Sequence, residues 1–298
     1  MSYREFFVLL AVCTIWGLHF IVMKVTVGSA AEPLFYAALR MSCVLICVLP
    51  FLKWQKGYVG RIFVAGLGYG ALNYAFMFPA LGMTTASAAA ITIELYVPFA
   101  IILGIIFLGE RIGIRRFIGI VLAITGVTII ALAKPSESAG PQYLLGIAMM
   151  VGAAMSEAVG ALMVKKVTGV NPLTLLAWFA VVGSAVLWPL SFIFEDNQWQ
   201  AFSPENRLPF LSALTYSVLA VSIVAHGSYY WLLQRLPIYI VSTSGLMTTV
   251  IAVVASAIIL KEPITAPFVI GGILTITGIG FILYARNLQR QKTALSKL

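Results

Sequence analysis

Ten apolar stretches, each close to twenty residues, alternate with short polar connections along the chain. A run of about 20 apolar residues is what an α-helix needs to cross a bilayer. In lipid, only a helix or a closed barrel satisfies its own backbone polar groups. The pattern predicts helical spans over 5–27, 34–53, 61–80, 85–108, 113–133, 142–165, 172–194, 208–234, 239–260 and 266–285. The longest connection is 195–207 (EDNQWQAFSPENR). The others are short, so neighbouring helices are expected to run antiparallel and pack closely.

The end of the first half returns in the second at an offset of 152. Leu108-Gly109-Glu110 answers to Leu260-Lys261-Glu262, and residues 118–132 match 270–284 at 7 of 15 positions. Nearer the starts of the halves, Lys24-Val25 aligns with Lys166-Val167. The expected organisation is a first five-helix repeat (1–133), a linker (134–141, KPSESAGP), a second repeat (142–286) and a basic cytoplasmic tail (287–298). Five spans is an odd number, so the second repeat must be inverted relative to the first. The fold class expected is therefore an all-α membrane protein of ten transmembrane helices in two inverted repeats, an architecture suited to alternating access. Gly119 and Gly126 match Gly271 and Gly278. Glycines seven apart share one helix face and admit a close neighbour, so the fifth and tenth helices read as scaffold. Glu110 and Glu262 end the matching fourth and ninth spans. Each is expected to accept hydrogen bonds at the start of the following helix, where the dipole favours a carboxylate.

Charge changes the picture only by fixing orientation. Hydrophobic residues make up 61% and charged residues 10%, against about 25% charged in a soluble domain. The net charge is +9, and 14 of the 19 lysines and arginines fall in alternate connections on one side. The positive-inside rule then places both termini in the cytoplasm. The basic excess marks topology, so no nucleic-acid partner is expected. Cys13, Cys43 and Cys47 all lie within spans, and Cys43 and Cys47 sit one turn apart on one helix, unsuited to a disulfide. There is no metal-ligand spacing and no phosphate-binding GxxxxGK[ST], so neither metal nor cofactor is expected, nor enzymatic activity. The first span is too long for the apolar core of a signal peptide and carries His19 and Lys24.

Several of these residues carry a resemblance. Trp16-Gly17 with Lys24 further along the first helix, Pro98 followed by Leu108-Gly109-Glu110-Arg111, and the echoed Leu260-Lys261-Glu262-Pro263 resemble the EamA type of the drug/metabolite transporter superfamily. The resemblance covers essentially the whole chain. Within the superfamily the chain is most similar to the bacterial YddG-type exporters of aromatic amino acids. The resemblance implies a multi-pass protein of the bacterial inner (plasma) membrane that exports small metabolites. It also implies a central cavity lined by the third, fourth, eighth and ninth helices, with contributions from the first and sixth. The halves differ at the site: Pro98 aligns with Val250 and Glu94 with Leu246, so no symmetric ionisable pair is expected.

Ionisable groups inside a membrane are expensive and mark function or pairing. Glu94 lies about ten residues into the fourth span, near the bilayer midplane. Pro98, four residues on, has no N–H and so leaves the Glu94 carbonyl without its helical donor. Glu94 binds substrate or a proton, or else pairs with Lys24, Arg40 or a tyrosine. Glu157 is the second deep acid, lining the cavity or pairing with a lysine or arginine. Lys24 and Lys166 are expected to snorkel to water. Arg40 either meets an acid or anchors the interface. Asn73, Tyr74 and Phe78 on the third helix fall opposite Ala225, His226 and Tyr230 at the repeat offset, and Tyr229 follows. These rings suit an apolar or cationic ligand. Trp16 on the first helix, Trp178 on the seventh, and Thr243 and Met247 on the ninth complete the candidate set. Hydroxyls of the ninth helix, Thr249 among them, either serve helix packing or donate to a carboxylate. Either His19 or His226 can relay protons; both are more simply hydrogen-bonded within the bundle. Trp199 and Tyr143 read as interfacial belt residues.

The expected function is a secondary transporter working by alternating access in the lipid bilayer. Its substrates would be amino acids, aromatic and other apolar ones, and it would act as a monomer. The alternative is a multidrug or organic-cation exporter with proton antiport. A nucleotide-sugar-type carrier fits less well, because it calls for several basic residues in the cavity and only Lys24 and Arg40 are available there.

Overall fold

Each apolar stretch becomes a helix because a buried backbone in lipid has no other partner than itself. The structure is a computed structural model. It describes residues 2–27, 29–109, 112–133, 142–233, 235–236, 238–241 and 244–295, excepting the side chains of 230, 233, 238, 239 and 285–295. Among the described residues, nine helices are long and apolar enough to span a membrane. They are α1 (Tyr3–Thr26), α2 (Pro33–Phe51), α3 (Val59–Met83), α4 (Ala86–Leu108), α5 (Ile114–Leu132), α6 (Tyr143–Lys165), α7 (Pro172–Phe194), α8 (Arg207–Tyr229) and α10 (Ala266–Tyr284). The apolar helix α9 (Ser244–Ile259) is shorter. Ile238–Val241 is also helical, ahead of α9. The helix of α10 continues to Leu295, through residues expected to form a tail. The linker 134–141, Glu110, Arg111, Ser242 and Thr243 lie outside the described residues.

Helix ends are tied to other parts of the chain. Ser2 and Glu5 form a reciprocal capping box at the start of α1. Glu195, just past α7, accepts from the backbone N–H groups of Leu34 (2.6 Å) and Phe35 (2.8 Å) at the start of α2. Glu262 does cap a helix, but not the next one. Its carboxylate accepts from Ala86 N–H (2.6 Å), Ser87 N–H (3.0 Å) and Ser87 Oγ (2.5 Å), at the start of α4. Lys261, at φ 53°, makes the turn that precedes it. The local sequence shows that an acid is near a helix start; only the packed bundle shows which start. Lys24 does not snorkel either. Its ammonium donates to the carbonyls of Leu81 (2.8 Å) and Thr84 (2.7 Å) at the end of α3, where the helix dipole favours a cation. The α3–α4 hairpin is therefore clasped at its tip from both sides. Glu262→Gln removes the charge from this cap and is expected to lower stability by about 1–2 kcal/mol, read as a lower melting temperature in lipid nanodiscs.

α5 and α10 meet along the glycine seam. A side-chain carbon at Gly119 would lie 2.6 Å from the carbonyl oxygen of Gly278, and one at Gly271 would lie 2.5 Å from that of Gly126. Each glycine faces the counterpart of the other, so the helices run antiparallel in backbone contact. A second seam of this kind joins α3 to α7 through Gly70 and Gly183. An apolar core fills the space among α2, α3, α7 and α8 around Phe35, Tyr36, Phe78 and Phe210. Another lies between α4, α5, α6 and α10. Tyr143 belongs to the latter and is 1% exposed, its hydroxyl donating to the Ile130 carbonyl. It is a core residue, not a belt residue, because α6 begins under the end of α5. Trp199, at 68% exposure, does face outward.

Two helices depart from α geometry in the middle. α3 is π-helical over Leu67–Leu72, and α8 over Tyr216–Ala225. The repeat offset of 152 carries the first segment onto 219–224, inside the second. Asn73 and His226 immediately follow these segments. π-helical turns are rare and occur mostly at functional sites.

Candidate functional site

The site is built where α4 breaks. α4 is α-helical over Ala86–Thr92, tightens to a 3-10 turn over Ile93–Leu95, and resumes over Tyr96–Leu108. Pro98 supplies no N–H to the Glu94 carbonyl. That carbonyl is not left open, however. The Tyr96 N–H turns toward the carbonyls of Ile93 and Glu94, and the tightened turn absorbs the lost bond. The Glu94 side chain is 6% exposed. Its Oε1 accepts from Thr249 Oγ1 on α9 at 3.0 Å. Gly245, one turn earlier on α9, makes room: a side-chain carbon there would sit 3.1 Å from the carboxylate. The hydroxyl-rich run on α9 thus both packs closely and donates to the acid. α1 approaches α9 in turn through Gly17, where an added carbon would lie 3.0 Å from the Thr248 carbonyl.

Glu157 on α6 lies within electrostatic range of Glu94. Its Oε2 accepts from Asn73 Nδ2 at 3.3 Å, and the same amide group donates to the Ala153 carbonyl at 3.1 Å. Among the described residues neither acid has a basic partner. Pairing with Lys24 or Arg40 therefore does not occur, since Lys24 is engaged at the end of α3 and Arg40 at Ser222 of α8. Tyr96 sits in the field of both acids and of Tyr69 and Tyr229. The sequence reading passed over it because one tyrosine beside an apolar run carries no pattern.

A separate cationic group lies on α2. Arg40 on α2 is 1% exposed. Among the described residues it meets no acid, and it does not reach the interface. Its guanidinium carbon lies 4.8 Å from the ring centre of Tyr74 and 6.0 Å from that of Phe78. Those two rings stack, with centroids 5.3 Å apart. Phe78 is fully buried and backs Tyr74, while Tyr74 keeps one partly open face. Arg40 Nη2 donates to Ser222 Oγ at 3.2 Å. Ser217, one π turn earlier, meets both His19 Nε2 (3.0 Å) and Tyr36 Oη (2.7 Å). The π-helical winding of α8 brings Ser217 and Ser222 onto this face: Ser222 Oγ donates to the Ser217 carbonyl five residues back.

Aromatic rings form a further group. Trp16 lies 5.2 Å from His226, edge to face, and 5.3 Å from Tyr229. His226 Nδ1 donates to the Val221 carbonyl at 2.7 Å, again five residues back, which fixes the ring. Met247 packs beside Tyr229 near the start of α9. Of the thirteen candidate residues, Glu94, Glu157, Asn73, Tyr74, Phe78, Pro98, Trp16, His226, Tyr229 and Met247 fall on the helices that border this region. The side chain of Tyr230 and all of Thr243 lie outside the described residues. Trp178 does not join them. Its Nε1 donates to the Lys53 carbonyl at 3.0 Å, and its ring meets Trp54 at 5.6 Å. It closes the connection after α2 against α7. Trp178→Phe is expected to change transport by less than about twofold, measured as initial rate in proteoliposomes.

Among the described residues no group of histidines, cysteines and acids is arranged to hold a metal. The chemistry on offer is recognition: two carboxylates, one guanidinium and a wall of rings. The profile of the EamA-like transporter family matches residues 4–132 and again 144–284. A probable amino-acid metabolite efflux pump of Escherichia coli is 27% identical over 285 residues, covering 94% of both chains. A protein of the same description from Salmonella typhimurium is 27% identical, covering 97% of this chain and 98% of its own. A crystal structure of a protein superposes with a TM-score of 0.63 at 16% identity, over 97% of this chain and 99% of that one, and so shares the fold. Family profile and apolar helices agree, and the chain belongs to the EamA-like transporter family: it is a multi-pass membrane transporter and not an enzyme.

Proposed function

We propose that the protein exports amino acids with aromatic or other apolar side chains, working as a secondary transporter by alternating access. The observation that carries this reading is the buried carboxylate of Glu94, held by Thr249 without a basic partner among the described residues. A substrate ammonium supplies the missing charge, and Trp16, Tyr74 and Tyr229 supply an apolar wall for the side chain. The E. coli and Salmonella relatives, whose descriptions name amino-acid metabolite efflux, support the substrate class. Two inverted five-helix repeats, 1–133 and 142–286, would rock about this region. The twofold match of the family profile, the crosswise glycine pairing of α5 with α10 and the paired π-helical segments support that division. The one-sided distribution of basic residues supports cytoplasmic termini in a bacterial inner membrane.

The proximity of Glu94 to Glu157 favours a second reading, an organic-cation exporter driven by proton exchange. Counterflow separates the two. Proteoliposomes preloaded with unlabelled phenylalanine, leucine or threonine, with no pH gradient, are offered the same labelled amino acid. Accumulation supports an amino-acid carrier that needs no proton drive. Absence of accumulation, with the protein folded and inserted, sinks that reading and turns the test to cations under a pH gradient.

A further inference from the structure

The acids near α4 both have donors. Among the described residues, the charged group with most unmet donors is Arg40. Its Nη2 has Ser222, but among the described residues there is no acceptor for Nε or Nη1, although both atoms are fully buried. A guanidinium is always protonated and only donates. Tyr74 covers a face of the guanidinium, yet a ring over the face satisfies none of the N–H groups, which project from the edge. No carboxylate among the described residues pairs with it; its charged and titratable neighbours are His19, Tyr36 and His226. Buried charges are ordinarily paired, because an isolated one is strongly disfavoured.

A second orphan lies close by. Trp16 Nε1, also fully buried, has no acceptor among the described residues, and the Trp16 ring packs on His226, which lies in the field of Arg40. Indole N–H, like guanidinium N–H, only donates. The unmet groups of Arg40 and Trp16 therefore all call for an acceptor. One guanidinium matches a single negative charge, and its planar donors match a carboxylate. A phosphate or diphosphate would bring more charge than one arginine offsets.

Position relates Arg40 to the acids. Asn73 donates to Glu157, and the next residue on α3, Tyr74, lies against Arg40. Successive residues on one turn thus address an acid and a base. We propose that Arg40 is the residue that recognises the carboxylate of the transported amino acid. This rests on the amino-acid reading above and adds how the carboxylate end is selected.

The test is direct binding to the purified full-length chain in nanodiscs, by calorimetry. The two probes are 3-phenylpropionate, which keeps the ring and carboxylate of phenylalanine but not the ammonium, and 2-phenylethylamine, which keeps the ring and ammonium only. Arg40→Gln is expected to weaken 3-phenylpropionate by at least about tenfold, the size of a lost charged hydrogen bond. The amine should change by less than about twofold. Equal losses for both probes, no loss for either, or no binding of 3-phenylpropionate by the wild type would each overturn the assignment. If Arg40→Gln does not purify as one species, Arg40→Met carries the same comparison under the same criterion. Carboxylate binding through Arg40 without counterflow of any amino acid would retire the amino-acid reading and keep the site. Counterflow that persists in Arg40→Gln, with unchanged preference for phenylalanine over the amine, would do the reverse.

Discussion

Glu94→Gln is expected to lower amino-acid counterflow by roughly 30- to 150-fold, the equivalent of about 2–3 kcal/mol for a buried charge that loses its role toward a charged ligand. The amide keeps the size of the side chain, and its oxygen can still accept from Thr249, 3.0 Å away in the wild type. Packing against Gly245 is preserved, so the loss isolates charge from shape. Thr249→Val is the companion: it removes the donor but leaves the carboxylate, and its effect should be several-fold smaller. The measurement is initial counterflow rate at fixed protein per liposome. Wild-type rates in Glu94→Gln would remove Glu94 from binding and leave Glu157 as the acid to examine.

The largest effect on stability is expected at the seam between α5 and α10. Gly126 lies against the carbonyl of Gly271 and the hydroxyl of Thr275, and any side-chain carbon placed there overlaps both. A flexible side chain could turn aside, but backbone cannot. Gly126→Val should therefore cost about 3 kcal/mol or more, the upper range for overpacking, or prevent a folded product. Gel filtration and thermal melting in detergent give the readout. Ile273→Val on the outward face of α10, at 60% exposure, should stay within about 0.5 kcal/mol of wild type. A Gly126→Val protein that melts like Ile273→Val would show that the seam yields easily.

What the sequence makes legible here is whatever repeats or depends on runs. The spans follow from apolar length, and the seam from glycines recurring at a fixed offset. Glu94 and Pro98 advertise themselves because an acid and a helix breaker are both costly in a span. Other features are set by packing across the chain and leave no local trace. Glu262 reads as an acid near a helix start, yet it caps α4, more than 170 residues back in sequence. Tyr143 and Trp178 look alike as rings at span ends, and only the neighbouring helix decides that one is core and the other a clasp. Arg40 is readable as costly, but its want of an acceptor emerges only once Ser222, Tyr74 and Phe78 are placed around it. The π-helical segments have no signature in the residues that form them.

Those segments bear on how the helices should be drawn. An α-helix advances about 100° per residue, whereas a π turn takes up an additional residue. Past Leu72 in α3 and past Ala225 in α8, every side chain is rotated away from where an unbroken wheel would put it. A projection carried through either segment would send Asn73 or His226 to the wrong side of its cylinder. Cysteine-labelling or lipid-facing substitutions chosen from such a diagram would land on the wrong face, so each of these two helices has to be mapped as two wheels with separate phases.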